Sequence, residues 1–329
     1  MNLKTDLVKE AIKKFPNTPH LTLAKKLYKE NNTIFKDVES ARRSIRYHTG
    51  KNGEHCRSAM KDKSSIITMD LPKNPFDFIP IEHNDYPEYW HLPKQYKKVL
   101  LISDIHLPYH DSVSIKVTLK HAKEAGVDCV YINGDLLDFH EISFHEKDAR
   151  KRPTLAEELK MGREFLSGLK SYLNVPIYFK GANHEFRLER YLRVKAPELL
   201  DCEEFKLNVL LRLGEYGINY IDRRAKTYFG KLLVEHGDRI KGNGGVSPAR
   251  TLFLRYKRHT ICGHFHKKSE HTGKIYDGNH IVTYSVGSLC NLEPEYFEVN
   301  EHTNGFAIVD MDGDEFRVHN YTIENGKIY

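Results

Sequence analysis

The chain has 329 residues, 40% of them apolar and 29% charged, which suits an ordinary globular protein with room for one large domain and a small one. No apolar run approaches the roughly 20 residues of a membrane span, and the opening MNLKTDLVKEAIKKF interleaves charges where a signal peptide carries a continuous apolar core, so a cytoplasmic protein with no membrane partner is predicted. The formal net charge of +6 is uneven: residues 1–62 hold 14 Lys and Arg against 7 Asp and Glu, and a small basic module beside a near-neutral larger one points to a polyanionic partner.

The first 48 residues read as three helices. One, over 3–15, puts Leu3, Leu7, Val8 and Ile12 on one face and ends before Pro16. The next starts with Thr18 as N-cap and Pro19 as its first helical residue and runs to residue 30, burying Leu23, Ala24, Leu27 and Tyr28. The third, over 38–48, turns Val38, Ala41 and Ile45 inward and Ser40, Arg42, Arg43, Arg46 and Tyr47 outward. Two short helices joined by a turn, the second rich in arginine, resemble a helix-turn-helix, whose second helix enters a major groove. Arg42, Arg43 and Arg46 are therefore the candidate nucleic-acid contacts. The predicted organisation is a basic helical module over 1–62, a linker and strap over 63–96, and a large domain over 97–329. The strap, with Phe76, Phe78, Ile79, Tyr86, Tyr89 and Trp90, mixes aromatics with prolines at no regular period and is expected to lie irregularly along the large domain.

The large domain opens with the apolar run VLLISDIH, read as a buried parallel strand. A helix over 113–124, the strand CVYINGD, a helix over 155–173, the strand PIYFKGA and the helix NHEFRLERYLRV continue a right-handed βαβαβα alternation. A further helix is expected over 203–213. Beyond it INYI, TYFGKLLVEH, HTICGH, IVTYSVGS, GFAIVDM and EFRVHNYTI read as strands, with a helix started by Ser247 and Pro248 and a hairpin turn at Asp312-Gly313. The fold class predicted is α/β: two sheet layers with helices outside, plus the all-α basic module. The five cysteines, Cys56, Cys129, Cys202, Cys262 and Cys290, show no CxxC spacing and read as reduced thiols.

Five strand-like runs end in Asp, Asn or His. Strand ends of an open α/β sheet converge on one crevice, and oxygen plus imidazole donors without a thiolate suit a pair of divalent ions. The blocks Asp104-x-His106, Gly134-Asp135-x-x-Asp138, Asn183-His184-Glu185, His236-Gly237-Asp238 and Gly263-His264-x-His266 together resemble the calcineurin-like metallophosphoesterases, in that family's order, from Lys97 to the C-terminus. The arrangement with its N-terminal module is also similar to phosphoesterases encoded by bacteriophages.

The resemblance implies a two-sheet α/β sandwich and an enzyme hydrolysing phosphate esters. It implies that Asp104, His106, Asp135 and His266 hold one ion and that Asp135, Asn183, His236 and His264 hold a second, with Asp135 bridging. Manganese comes first, with iron, zinc, magnesium or nickel also admissible. It further implies in-line attack by a hydroxide held between the ions, with His184 protonating the leaving oxygen, Asp138 orienting that imidazole, and Glu185 supporting the ligands from behind. Two departures stand out. Ala182 holds the place before Asn183 where the family has glycine, and Phe139 stands where the protein phosphatases carry arginine, which disfavours a phosphoprotein substrate. Arg187 and Arg190, on a basic helical stripe with Arg193, and His140 are the candidate substrate contacts. The basic module favours a nuclease acting on DNA or RNA. The other readings are a phosphomonoesterase of nucleotides or nucleic-acid ends, and a nucleic-acid-binding protein with a vestigial site.

Overall fold

The computed structural model describes residues 3–50, 88–144, 153–240, 246–292 and 300–329. The chain divides into two compact units, Met1–Asn84 and Asp85–Tyr329. Most of the strap, with Phe76, Phe78, Ile79 and Tyr86, lies outside the described residues, as does Cys56.

In the first unit, helices α1 (Leu3–Lys14), α2 (His20–Glu30) and α3 (Val38–His48) close on a small core of Val8, Ile12, Leu23, Leu27, Phe35 and Ile45. The start of α2 differs from expectation by one residue. Thr18 belongs to the preceding turn, its N–H donating to the Phe15 carbonyl, and Pro19 is the N-cap because its carbonyl takes the first helical bond, from Leu23. On α3, Asp37 caps the N-terminus by accepting from Ser40 N at 2.6 Å. Arg43, Arg46 and Tyr47 are exposed, whereas Arg42 is half-buried and pairs with Glu39 at 3.3 Å.

The second unit is a sandwich of two sheets. Its elements are β1 (Tyr89–His91), β2 (Lys98–Ile102), α4 (Ser112–Ala125), β3 (Cys129–Ile132), α5 (Leu155–Leu173), β4 (Ile177–Lys180) and α6 (Glu185–Lys195). Then come β5 (Ile218–Ile221), the hairpin β6 (Lys226–Phe229) and β7 (Leu232–Glu235), α7 (Pro248–Tyr256), β8 (Thr260–Cys262), β9 (Ser269–Lys274) and β10 (His280–Ser285). The chain ends with β11 (Asn304–Asp312), β12 (Glu315–Glu324) and β13 (Lys327–Ile328). One sheet has the order β13-β12-β11-β2-β3-β4-β5 and the other β1-β6-β7-β8-β10-β9. Strands β2 to β5 are parallel. No helix among the described residues is long and apolar enough to cross a membrane.

Alternation along β2 explains why its sequence is continuously apolar. Val99 and Leu101 face the second sheet, with Tyr131, Phe229, Val234 and Ile261, whereas Leu100 and Ile102 face the helix-covered side, with Ile132, Leu166 and Phe179. A strand buried on both faces has no place for a polar residue. Several elements depart from the sequence reading, among them the short final strand β13. The strap residues Tyr89 and Trp90 form a regular strand parallel to β6. Strand β9 was not legible because its residues, SEHTGK, are polar, and it pairs at an edge of the sheet. The helix expected over 203–213 is one short 3₁₀ turn and a single α-turn, Leu207–Leu210. In the last hairpin Asp312 still pairs with Glu315, so the two-residue turn is Gly313-Asp314.

A buried ion pair ties the sheets together near the site. Lys180, at the end of β4 and 1% exposed, lies 3.5 Å from Glu235 Oε2 and donates to the Val234 carbonyl of β7. Burial pulls this lysine's pKa down, and Glu235 works in the opposite direction. Removing one member of such a pair leaves a charge without compensation, at a cost of about 3–5 kcal/mol, whereas replacing both by neutral groups costs much less. In urea denaturation, Glu235→Ala should therefore be markedly less stable than the double variant Lys180→Met/Glu235→Gln; equal losses would deny the pair this role.

Candidate metal centre

All five blocks leave their strands at one end of the sandwich. Asp104 and His106 follow β2, Asp135 and Asp138 follow β3, Asn183 and His184 link β4 to α6, His236 follows β7, and His264 and His266 follow β8. Asp104, His106, Asp135, His264 and His266 all adopt positive φ, between 49° and 66°, a left-handed conformation that residues other than glycine seldom take. Backbone strain of this kind concentrates at functional sites.

The donors form three groups whose ligand atoms lie within 4.8 Å of one another: Asp104 with His106 and His266, His106 with Asp135 and His184, and Asp135 with His236 and His264. His106 and Asp135 each belong to two groups. Nε2 of His106 lies 3.2 Å from Nε2 of His266, and Nε2 of His236 lies 3.1 Å from Asp135 Oδ2. Asp104 Oδ1, Asn183 Oδ1 and His236 Nε2 are buried without a satisfactory hydrogen bond among the described residues. Inward-facing lone pairs on buried oxygen and imidazole atoms are what hard and borderline dications need, so these residues fit the ions.

Atoms behind the donors set their orientation. His236 Nδ1 donates to the Asn133 carbonyl at 2.7 Å, and His106 Nδ1 faces Asp138 Oδ1 at 3.3 Å, so both rings turn Nε2 toward the centre. His266 Nδ1 faces Cys290 Sγ at 3.6 Å, and that thiol donates to Ser288 Oγ at 3.3 Å. Glu185, fully buried, accepts from Asp135 N at 3.0 Å and Ala182 N at 2.9 Å with one oxygen, and from Leu136 N at 2.9 Å with the other. One carboxylate thus fastens the loop bearing Asp135 to the loop bearing Asn183. His184 N adds a further tie, donating to Asp135 Oδ1 at 3.0 Å.

Close approach explains the glycines and the Ala182 departure. Gly134, at φ 89°, lies under Ala182 and His236, and a Cβ there would collide with both side chains; Gly263 lies equally tightly against Ser103 and Asp104. Ala182 itself is buried and does not need positive φ, so its methyl is accommodated by the glycine beneath it.

Asp138 has two duties where the sequence suggested one. Its Oδ1 is 3.3 Å from Nδ1 of both His106 and His184, and the shortest contact to His184 is its backbone carbonyl, which accepts from Nδ1 at 2.9 Å. His184 Nε2 is then an acceptor, and Arg187 Nη2 donates to it at 3.1 Å while Arg187 Nη1 donates to the Asp138 carbonyl at 2.7 Å. A guanidinium therefore stands beside the acid candidate even though Phe139 is buried. His140 Nδ1 lies 3.9 Å from Asp138 Oδ2. Arg190 is drawn away onto the ring of Phe144, at 4.0 Å. The basic part of the loop after Asp138, with His145, Arg150, Lys151 and Arg152, whose sequence suits substrate phosphates, lies outside the described residues. Sequence reasoning missed Asn133, Glu158 and Cys290. Glu158 is a buried carboxylate accepting from Phe139 N, and burial pushes its pKa up to about 8.

Electrostatics match a site built for cations. Burial would raise the pKa values of Asp104, Asp135 and Asp138, but the surrounding imidazoles hold all three well below the usual carboxylate range. Burial would lower that of His236, but Asp135 and Asp104 raise it to about 10. His184 and His264 go down, chiefly through burial.

A two-sheet sandwich that gathers carboxylate, amide and imidazole donors at its strand ends defines a metal-binding hydrolase. The profile of the calcineurin-like phosphoesterases matches residues 97–268, just over half of the chain, and the protein belongs to that family and hydrolyses phosphate esters. It is 26% identical over 250 residues to the gene 54 protein of Mycobacterium phage L5, covering 70% of this chain and 95% of that one. It is similar in fold to Vps29 of Entamoeba histolytica complexed with zinc, at 13% identity, covering 70% and 96% of the two chains with a TM-score of 0.37. A dimetal phosphatase from Danio rerio is similar at 11% identity, 68% and 98% coverage and a TM-score of 0.31.

The role of Glu185 gives a direct expectation. In Glu185→Gln an amide that cannot accept replaces one oxygen, and the loops carrying Asp135 and Asn183 lose part of their clasp. Loss of such a partner costs about 10–100-fold in metal affinity, readable by isothermal titration with manganese; unchanged affinity would show that the clasp does not position the ligands.

Proposed function

We propose that the protein is a nuclease that cleaves DNA phosphodiesters with two divalent ions, manganese foremost. The observation that carries the substrate class is the charge distribution: the whole basic excess falls within residues 1–62, and Arg43 and Arg46 are exposed on one helix, α3, with half-buried Arg42 beside them. An enzyme for a small phosphate ester has no need of such a module, whereas a polyanion gains affinity from every phosphate it meets.

Asp104, His106, Asp135 and His266 would hold one ion, and Asp135, Asn183, His236 and His264 the other. Bound there, the ions supply Lewis-acid neutralisation of the phosphoryl oxygens and a water acidic enough to attack at neutral pH. The chain's own residues do the rest. Asp138 holds the His184 ring through its carbonyl, leaving Nε2 directed at the substrate side to deliver a proton to the leaving oxygen. Arg187, now resting on His184 Nε2, is placed to exchange that contact for a non-bridging phosphate oxygen, which frees Nε2 to take up a proton from solvent and, as the imidazolium, pass it to the leaving oxygen. His140 lines the same side through Asp138.

The test compares bis-p-nitrophenyl phosphate, p-nitrophenyl phosphate and single- and double-stranded DNA, each with manganese. The parent is expected to cut DNA and the diester, and His184→Ala to lower kcat by about 10²–10⁴-fold. Arg43→Gln/Arg46→Gln should weaken DNA binding and flatten its salt dependence while leaving the small diester untouched. Turnover of the monoester alone, with DNA neither bound nor cut, would replace the nuclease reading by a phosphomonoesterase.

A further inference from the structure

We propose that the outer face of β1 and β6 is a stacking platform for single-stranded DNA running away from the metal centre; this inference rests on the nuclease reading. Strand alternation determines the face. Trp90 points into the sandwich, its ring 4.9 Å from that of Tyr178, and Thr227 points inward to the Tyr131 hydroxyl at 3.2 Å. Tyr89, His91, Lys226 and Tyr228 are therefore on the outer side, with Tyr89 opposite Lys226 and His91 opposite Tyr228. Their rings are nearly parallel: Tyr89 and Tyr228 at 13° and 6.2 Å between centroids, His91 and Tyr228 at 18° and 5.3 Å.

Cations flank the rings. Lys226 Nζ is 5.4 Å from the Tyr89 ring, and Arg258 donates to the Tyr228 hydroxyl at 2.9 Å. Of the acids nearby, Asp222 pairs with Arg224, Glu235 with Lys180 and Glu315 with Lys231, while exposed Glu88 precedes Tyr89 at the start of β1. Helix α7 packs on β8, β9 and β10, and Tyr89 remains 60% exposed.

An edge strand is ordinarily guarded by charges or proline, and here it carries exposed aromatic rings between cations. Rings and cations in alternation fit bases and phosphates in alternation. A duplex hides its base faces in its own stack, so the occupant with matching chemistry is a single strand. The face also borders elements that lead to the site. Arg223, three residues before Lys226, lies 3.9 Å over the ring of Phe186, which follows His184 by two residues. The strand beside β6, β7, runs directly into His236.

The experiment measures anisotropy of a labelled oligothymidylate of about 20 nucleotides, and of a duplex of equal length, on the full chain without added metal, so that the probe stays uncut. Tyr89→Ala should weaken the single strand roughly tenfold, with Tyr89→Phe within about twofold of the parent because the ring face is kept. Duplex binding and hydrolysis of bis-p-nitrophenyl phosphate should not change. Arg258→Gln should reduce the slope of log affinity against log salt for the single strand by about 0.7. Unchanged single-strand binding by Tyr89→Ala, or equal losses in Tyr89→Ala and Tyr89→Phe, would overturn the platform while leaving a DNA-cutting parent as a nuclease. A parent that hydrolyses the small diester but neither binds nor cuts DNA would overturn both readings.

Discussion

The arrangement depends on holding acids and imidazoles close together out of water. Asp104 and Asp135 are at most 1% exposed, and two imidazole Nε2 atoms, of His106 and His266, face each other at 3.2 Å. Such a cluster requires positive charge among its members, as protons on the rings or as ions between them. The backbone also carries a cost. Five donors in the left-handed region, at about 1–3 kcal/mol each, amount to something on the order of 5–15 kcal/mol, comparable with the whole net stability of a domain. The doubly covered sheet around β2 and β3 and the Glu185 clasp must offset that before any ion arrives.

This division of labour explains which features the sequence revealed. Buried parallel strands announce themselves because both faces are apolar, so VLLI, CVYI and their successors were legible, and so were the donors at their ends. Helix starts were legible where a side chain caps, as at Ser247, and shifted by one residue at Pro19, where none does. Strand β9 left no apolar signal, because an edge strand can be polar throughout. The residues behind the donors were mostly invisible for a different reason. Asn133, Glu158 and Cys290 act through contacts between segments distant in sequence, and no local period marks such contacts. Glu185 was suspected only because it follows Asn183 by two residues in the same block; its grip on Asp135 and Leu136 is a tertiary fact.

The two units divide the work in physical terms. The sandwich supplies rigidity and a low-dielectric pocket in which a few donors act strongly. Under the proposed nuclease reading, the basic unit would add long-range attraction for a polyanion that is insensitive to sequence and sensitive to salt. On that reading chemistry and substrate capture would vary independently, since residues at the strand ends have no part in the charge of α3.

The central claim is that Asp135 joins two ions in one site. The most direct measurement is electron paramagnetic resonance of the metal-free protein titrated with manganese. Two bound ions per chain with a spin-coupled signal, replaced by an uncoupled signal in Asp135→Asn, is the predicted result. A single isolated manganese signal in the parent, or coupling that survives Asp135→Asn, would contradict the account.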